Sequence, residues 1–400
     1  MDTTGDFYFN PWDPQFRANP YPHYQPLLSG PPHKLEMFFP IALVARYADT
    51  VAVLRDHQHF SSVQPPPPPG LFEESDPFVG GRTMLFSDPP EHTRLRRLVS
   101  RDFTPKRIRE LEPRVRQIAA ALLDKVAAKT EFEVMADLAN ALPVMVIAEM
   151  LGVPPEQYET FKHWSDTIVS GDNTLPGTPL PAEFHQARRD LATYFSEEIE
   201  RRRRRPGADL VSALVAHNQA DALDGKDLLA FVVLLLLAGN ETTTNLIGNG
   251  MLALAKNPDQ LERLRKEPAL MPRAVEEMLR YDGPVQSTVR HPRAAVEIGG
   301  TTVEPGTAVF VLLAAADRDP AQFPKPDRFD IARDPNEHVA FGEGIHFCIG
   351  APLARLEGAI AIGSVLERFA RLRLADPEAP LTYKGSFFLR GLSSLPMAID

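Results

Sequence analysis

The only cysteine of the chain lies in a glycine-rich segment, FGEGIHFCIG. Gly342, Gly344 and Gly350 surround Cys348, and glycine lets the backbone take left-handed turns and approach a flat ligand closely. A helix is predicted to begin just after the cysteine, with Pro352 near its first turn. Helix-start amides lower the pKa of a thiol, which favours a thiolate that binds a metal. Haem iron fits such a site because the porphyrin supplies four donors, whereas an inert buried cysteine needs no special backbone.

A second set of reactive side chains lies in AGNETT, inside the apolar stretch 226–258. Glu241 and Thr242 are costly to bury in an apolar helix unless each finds a polar partner. A threonine hydroxyl can bond to the carbonyl one turn earlier and bend the helix, which leaves room for a small ligand or a water molecule. A kinked helix without catalytic function would show the same residues, and the motif alone leaves that alternative open.

Two charged pairs have the spacing of a helix face. Glu277 and Arg280 are three residues apart in EEMLR, and such a pair is usually a surface ion pair. His92 and Arg96 are four residues apart in HTRLRR, which places both on one face. The forked guanidinium of arginine suits a carboxylate, although a solvated basic face is the ordinary interpretation. Neither pair identifies a site by itself.

The elements that position these residues are mostly helical. Most of the chain between about residues 89 and 282 shows helical spacing, and 226–258 predicts one long helix whose first half is apolar on all sides and therefore buried. Strand patterns lie at roughly 30–60, 285–320 and 380–400. With 44% hydrophobic and 24% charged residues, the chain can bury a core that encloses a cofactor. We predict a single domain, residues 1–400, that is mainly α with a minor β portion.

Charge and composition exclude several classes of protein. The chain has 43 basic and 53 acidic residues, and the net charge of −10 argues against a nucleic-acid partner. The five arginines of RRRRRPG are predicted to close a helix, where cations suit the helix dipole. One cysteine rules out an intrachain disulfide. The N-terminus lacks a signal-peptide pattern and the apolar run from Leu228 to Gly239 is too short to cross a bilayer, so we expect a cytoplasmic protein without a membrane span.

Taken together, these motifs resemble those of the cytochrome P-450 monooxygenases, from about Pro11 to Pro396. FGEGIHFCIG matches the haem-ligand loop F-G-x-G-x-H-x-C-x-G, and AGNET matches the oxygen-binding groove A-G-x-[DE]-T. EEMLR and HTRLR match the motifs E-x-x-R and H-x-x-x-R. The resemblance implies the cytochrome P-450 fold, a triangular helical domain with small β-sheets and a buried haem b (iron-protoporphyrin IX). Cys348 would then be the axial ligand of the iron.

The resemblance also implies roles for individual residues. Thr242 would orient dioxygen and its waters, and Glu241 would supply protons. The residues implied to contact the haem or its propionates are His92, Arg96, Ala238, Gly239, Arg290, Phe341, Gly342, His346, Cys348 and Gly350. Glu277 and Arg280 would join Arg328, from the segment PDRF, in a buried structural network beneath the cysteine loop.

An apolar substrate pocket is implied beside the proline-rich residues 64–81, which are predicted to form a loop or lid rather than a plain surface linker. The implied lining is Phe78, Leu85, Leu236, Ala238, Val285, Val289, Phe387 and Phe388. Packing in the core is the alternative for about half of such side chains. The pocket would take a hydrophobic molecule of terpenoid, steroid, fatty acid or polyketide class. Arg82 or Arg390 is a candidate to bind a substrate carboxylate.

The implied reaction is that of a soluble bacterial haem-thiolate monooxygenase, which inserts one oxygen atom from O2 into a hydrophobic small molecule. The chain shows no dinucleotide fingerprint, so electrons would come from NADH or NADPH through a reductase and a separate ferredoxin or flavodoxin. A basic patch, unless it is only solvated charge, would dock that donor: Arg97, Arg101, Lys106 and Arg355. We expect a monomer. A peroxygenase driven by H2O2 and a non-catalytic haem protein that binds or senses ligands are the alternatives.

Overall fold

The computed structural model describes residues 8–36, 39–66, 76–78, 80–127, 129–171, 178–221, 225–384 and 388–399. The α-helices are α1 Pro14–Ala18, α2 Tyr21–Leu28, α3 Tyr47–Arg55, α4 Glu91–Val99, α5 Pro105–Glu110, α6 Glu112–Asp124, α7 Leu142–Met150, α8 Tyr158–Ser170, α9 Ala182–Arg204, α10 Leu210–Asp221, α11 Gly225–Lys256, α12 Pro258–Lys266, α13 Met271–Asp282, α14 Leu313–Ala316 and α15 Ala351–Arg368. The β-strands are β1 His33–Glu36, β2 Pro40–Val44, β3 Phe60–Ser61, β4 Glu131–Glu133, β5 Thr288–Pro292, β6 Val296–Ile298, β7 Thr301–Val303, β8 Ala308–Val311, β9 Leu372–Leu374 and β10 Pro396–Ile399. The predicted class, mainly α with minor β, is confirmed.

The longest described helix, α11, runs through the helical core. It packs against α7, α8, α9, α13 and α15, and most of its side chains are buried. A Cβ atom on Gly248 would lie 2.5 Å from the sulfur of Met135, so this glycine permits close packing. Within the described ranges, α11 is also the one helix long and apolar enough to cross a membrane. Because 72% of its most apolar window is buried inside the protein, its place in the core explains that apolarity.

Three small sheets accompany the helices in the described part of the chain. The largest has the order β1-β2-β8-β5-β3, in which β2 and β8 run parallel and the other neighbours antiparallel. Ile41 pairs with Ala308 in the parallel ladder, so the sheet joins distant parts of the chain. The second sheet has β10 between β4 and β9, and the third pairs β6 with β7. β4 and β9 lie outside the segments in which the sequence predicts strands, because three residues are too few to show alternation.

The arginine run ends a helix, as predicted. α9 stops at Arg204, and four consecutive arginines occupy its last turn. Arg202 is largely buried and donates to Glu198 at 3.1 Å and to Asp209 at 2.7 Å. Its neighbours Arg203 and Arg204 are exposed. The run therefore anchors the end of α9 through one residue and leaves the others in solvent.

A buried carboxyl follows α14. Asp317 is 1% exposed and accepts a hydrogen bond from the backbone N–H of Val339 at 2.7 Å. Burial raises the pKa of Asp317 from 3.8 to about 6, and the charges of His338 and Arg280 oppose that rise only in part. The folded protein therefore binds this proton more tightly than the unfolded chain does. The stability that the protonated Asp317 carboxyl contributes is present below about pH 4 and is lost as the pH rises through about 6.

We expect Asp317→Asn to raise the free energy of unfolding at neutral pH by about 1–3 kcal/mol, since asparagine keeps the acceptor for Val339 and removes the buried charge. Below about pH 4 this advantage should disappear, because the wild-type carboxyl is then neutral in both states. Denaturant titrations at several pH values measure the difference. Asp334→Asn, in an exposed ion pair with Arg273, is the control and should change stability by less than about 1 kcal/mol. An Asp317→Asn protein less stable than wild type at neutral pH would contradict the prediction.

Candidate active site

Glycines shape the backbone around Cys348. Gly342 and Gly344 have φ angles of +70° and +71°, a region that favours glycine. A Cβ atom on Gly344 would also lie 2.6 Å from the carbonyl oxygen of Leu54. The N–H of Cys348 donates to the carbonyl oxygen of Phe341 at 2.9 Å, and α15 begins three residues after the cysteine. The loop therefore holds the sulfur close to the start of a helix.

The surroundings of Cys348 favour its neutral form. Burial raises the pKa of the thiol, and the N–H of Gly350, the guanidinium of Arg96 and the N–H of Ala351 oppose the rise. The prediction of a lowered thiol pKa is therefore wrong for the protein alone, because burial outweighs the helix start. A bound metal cation reverses this balance, since a coordinating thiol loses its proton outright.

Cationic and imidazole groups converge on the cysteine loop from separate elements. Arg96, on α4, donates to the carbonyl oxygen of Phe347 at 2.7 Å. Arg290, on β5, is 7% exposed, and burial lowers its pKa to about 10. The rings of His92 and His346 have their centroids 4.3 Å apart, and within the described ranges neither nitrogen of His92 has a hydrogen-bond partner. Arg290 and His92 are buried, whereas Arg96 and His346 are partly accessible. Arg96 and Arg290 donate to backbone carbonyl oxygens and His346 lies 3.0 Å from the hydroxyl of Ser62, so none of these groups is paired with a described carboxylate.

These groups fit a flat cofactor with acidic arms, namely haem. The buried ring of His92 has no described hydrogen-bond partner, which is costly, and Arg96 and Arg290 have no described carboxylate. The two haem propionates are carboxylates that would accept from these groups. In the part of the chain that the structure describes, no cluster of three or more His, Cys, Asp or Glu side chains could hold a metal. A metal on Cys348 therefore needs donors from a cofactor. Space is present as well, because Ala238 is exposed and Thr242 partly accessible although most of α11 is buried.

The polar residues of AGNETT find partners that the sequence predicts only in part. The hydroxyl of Thr242 donates to the carbonyl oxygen of Ala238 at 2.8 Å, one turn earlier, as predicted. The buried carboxylate of Glu241 accepts from the ammonium of Lys384 at 3.0 and 3.3 Å. Lys384 belongs to no motif and lies far away in the chain, so sequence reasoning misses it.

The motifs and the fold are shared with known proteins. The family model for Cytochrome P450 matches residues 37–390. This chain belongs to the cytochrome P450 family. One relative, 6-deoxyerythronolide B hydroxylase from Saccharopolyspora erythraea, is 40% identical over 90% of this chain and 90% of its own length. Another, Vitamin D(3) 25-hydroxylase from Pseudonocardia autotrophica, is 40% identical over 100% of this chain and 98% of its own length.

A solved structure of similar fold is that of P450BioI in complex with hexadec-9Z-enoic acid ligated Acyl Carrier Protein. It superposes with a TM-score of 0.90 at 38% identity and covers 96% of this chain and 100% of the other. The resemblance drawn from the motifs and the predicted P450 fold are confirmed. This P450 is a monooxygenase of a family that uses a haem iron cofactor and dioxygen.

A fully buried ion pair lies on α13 of this P450 and faces the segment before the cysteine loop. Arg280 donates to the carboxylate of Glu277 at 2.7 and 2.9 Å, and neither side chain has exposed surface. Arg333 reaches the same carboxylate at 3.1 and 3.2 Å. Asn336 donates to it at 3.2 Å, and the backbone N–H of Asp330 at 2.9 Å. The pair is thus the centre of a core network, not the surface pair that its spacing alone suggests.

The third arginine of this network is not the predicted one. The side chain of Arg328 is 60% exposed and approaches Asp330 only at 3.9 Å. Its backbone carbonyl alone takes part, as an acceptor for Arg280 and Arg333. The prediction for Arg328 is wrong because the turn that contains it directs its side chain to solvent. Arg333, five residues later, fills the position.

One buried acid lies outside all of the motifs described above. Glu357, on α15, is 1% exposed, and burial raises its pKa well above the ordinary value. The hydroxyl of Thr243, on α11, opposes that rise, although no described group meets either carboxylate oxygen with good hydrogen-bond geometry. Burial therefore favours the protonated form of this carboxyl. In the sequence it is indistinguishable from a polar position of an amphipathic helix.

The predicted pocket residues divide between accessible and buried positions. Those with full or partial accessibility are Phe78, Leu85, Ala238, Val285, Val289 and Phe388. Leu236 has no exposed surface and packs in the helical core, so its assignment to the pocket is wrong. Phe387 lies outside the described residues.

Both arginines suggested for a substrate carboxylate are already paired. Arg82 binds Asp227 at the start of α11, with Nε at 3.3 Å, and lies 3.3 Å from Glu91. Arg390 donates to Asp282 at 2.7 Å and lies over the ring of Tyr383 at 3.9 Å. These ion pairs weigh against the suggested role, since each guanidinium already neutralises a protein carboxylate.

Proposed function

We propose that this P450 inserts one oxygen atom of O2 into a C–H or C=C bond of a hydrophobic small molecule, while the other atom leaves as water. The observation that supports this best is the setting of Cys348, a thiol in a glycine-shaped loop near cationic and imidazole side chains that are paired with no described carboxylate. A thiolate ligand favours cleavage of the O–O bond when haem is bound. The proposal includes a monomer in the cytoplasm.

The protein's own residues would bind and orient the cofactor. Cys348 would ligate the iron. The residues proposed to contact the ring or its propionates are His92, Arg96, Ala238, Gly239, Arg290, Phe341, Gly342, His346 and Gly350. The bound haem supplies the oxidising chemistry, whereas the protein orients the substrate and excludes water.

Two residues of α11 would supply protons. Thr242 carries a hydroxyl at a partly accessible point of the helix, and Glu241 is the neighbouring acid. A general acid held at the reacting atoms contributes about 100- to 10,000-fold to a rate. The pair therefore favours use of O2, which needs protons for O–O cleavage, over the direct use of H2O2.

The substrate is proposed to be a terpenoid, a steroid, a fatty acid or a polyketide. Relatives named for 6-deoxyerythronolide B and vitamin D(3), and a P450 complex with a carrier-linked fatty acid, support that range. Because Arg82 and Arg390 are paired, neutral or carrier-linked molecules suit this P450 better than free carboxylic acids. We expect a fatty acid methyl ester to bind at least as tightly as the free acid.

The test is a ligand screen followed by turnover. Macrolactones, sterols, free fatty acids and their methyl esters are titrated while the spin state of the haem iron is followed. Compounds that bind are then supplied with NADPH, a reductase and a ferredoxin or flavodoxin, or with H2O2 alone. Product only with H2O2 would identify a peroxygenase. Normal ligand binding without product from any donor would favour the haem protein that only binds or senses.

The electron donor is proposed to dock beside the cysteine. Arg97, Arg101 and Lys106 are exposed on or near α4 and α5, and α5 packs against α15. Arg355 is less suited, because it donates twice to Glu276 at 2.7 Å and lies over the ring of Phe341.

We expect Arg101→Glu/Lys106→Glu to slow reduction by an acidic ferredoxin about tenfold at low ionic strength, since like charges then meet across the interface. Stopped-flow reduction measures the rate, and substrate titration should show an unchanged Kd. Arg204→Glu/Arg205→Glu, at the exposed end of α9, reverses as many charges elsewhere and serves as the control. Equal slowing in both variants would remove the patch from the proposal.

A further inference from the structure

The acid of AGNETT has a cationic partner that no motif supplies. Nζ of Lys384 lies 3.0 Å from Oε1 and 3.3 Å from Oε2 of Glu241, so the ammonium bridges both carboxylate oxygens. The side chain of Glu241 is 6% exposed, whereas that of Lys384 is 30% exposed. The ion pair therefore connects the partly exposed Lys384 with Glu241 in the middle of α11.

The outer end of this ion pair borders a small cavity. Lys384 lines the cavity together with Tyr383, Arg390, Tyr24 and Gln286. The cavity volume is about 30 Å³, which exceeds the roughly 10–15 Å³ that a single water molecule needs. Most of its lining is apolar, but the polar side chains named above offer the hydrogen-bond partners that a water requires. A water held there would be a proton source beside the ion pair.

We propose that Lys384 is a positioning residue for proton delivery, which orients the Glu241 carboxylate and connects it with solvent through this cavity. The inference rests on the proposed role of Glu241. The ammonium keeps its proton and holds the carboxylate in place. The carboxylate takes up a proton that enters from bulk solvent through water and passes it toward Thr242, where the reaction consumes it in forming H2O. The Thr242 hydroxyl, which now donates to Ala238, is the next proton-carrying group along the helix.

Loss of Lys384 should lower the fraction of electrons that form ROH and raise the fraction that form H2O2. Substrate affinity should not change. The coupled reaction is RH + O2 + 2 e⁻ + 2 H⁺ → ROH + H2O, with electrons from the reduced ferredoxin or flavodoxin. It needs a proton at the oxygen atom that leaves as water. When that atom is not protonated in time, the dioxygen is reduced to hydrogen peroxide instead, O2 + 2 e⁻ + 2 H⁺ → H2O2, and RH stays unchanged. The ratio of the two products therefore reports on proton delivery.

Lys384→Met is expected to lower the product formed per NADPH at least about threefold, with H2O2 rising to match and substrate Kd unchanged. Lys384→Arg keeps the charge and should restore most of the coupling. In a Glu241→Gln background Lys384→Met should add no further loss, because it acts through Glu241 alone. Lys129→Met removes an ion pair with Asp137 at another place and should leave coupling unchanged. If Lys384→Met does not fold, Lys384→Gln is used in its place.

Infrared spectroscopy gives a second readout that needs no turnover. Without the ammonium, the Glu241 carboxylate loses the two contacts that Lys384 makes with its oxygens. The infrared bands of this side chain are therefore expected to shift in Lys384→Met and to be absent from Lys384→Met/Glu241→Gln. Wild-type coupling in Lys384→Met, an unchanged spectrum, or equal added loss in the Glu241→Gln background would each overturn the inference. Absence of product from the wild-type enzyme would instead refute the proposed function, and the infrared comparison would still judge the ion pair.

Discussion

Cys348→Ser should lower product formation by at least about a thousandfold while the protein keeps its fold and its haem, because serine cannot supply the electron-rich thiolate that favours O–O cleavage. Serine fits the loop, since it is close to cysteine in size and the left-handed turns of Gly342 and Gly344 do not depend on the sulfur. Arg96 and Arg290 would still bind the propionates. The loss should therefore be one of chemistry and not of binding.

Two measurements separate these effects. The absorption spectrum of the reduced carbon monoxide complex should lose the long-wavelength maximum of a thiolate ligand, whereas haem content should fall less than about twofold. Ile349→Val, at the next residue, is the control and should keep both the spectrum and turnover. Substantial turnover in Cys348→Ser would mean that another residue ligates the iron, and the assignment of the site would then be wrong.

Arg280→Met should lower the free energy of unfolding by about 3–5 kcal/mol, because it leaves the fully buried carboxylate of Glu277 with too few donors. Arg333 and Asn336 remain as partners, but Arg280 also donates to the carbonyl oxygens of Asp317 and Pro326 at 2.9 and 2.8 Å. Those acceptors lie in segments that lead to the cysteine loop. The variant should therefore lose haem as well as stability.

Denaturant unfolding and haem content measure the effect of Arg280→Met. Arg328→Ala and Arg333→Ala are matched control variants, because the two arginines lie five residues apart in the same segment. Arg328→Ala should change stability by less than about 0.5 kcal/mol, since its side chain is exposed, whereas Arg333→Ala should cost about 1–3 kcal/mol. If Arg328→Ala lost more stability than Arg333→Ala, the role predicted for Arg328 would be right and the role that the structure assigns to Arg333 would be wrong.

The sequence predicts well those parts of the site that are written in local spacing. The glycines of the cysteine loop and the pair Glu277 and Arg280 are each a few residues apart, so backbone geometry alone brings them together. Whether such a pair is buried is a tertiary fact, and here the family resemblance rather than the spacing favoured burial. The long helix α11 was predictable because apolarity on all sides requires a core.

The remaining features depend on contacts between distant segments or on a balance of opposing effects. Lys384 meets Glu241 only after the chain has folded, and no periodicity marks either partner. Glu357 occupies an ordinary polar position of a helix in the sequence, whereas its carboxyl is almost fully buried in the structure. The direction of the Cys348 pKa required comparing burial with the helix start, and composition does not give the extent of burial.

The middle position of β10 in its sheet has a consequence for biosynthesis. β10 holds β4 and β9 together, and the parallel ladder likewise joins Ile41 to Ala308. The larger sheet can close only after residue 311 has left the ribosome, and the sheet around β10 only after residue 399. Pairing over such long stretches of chain makes folding slow.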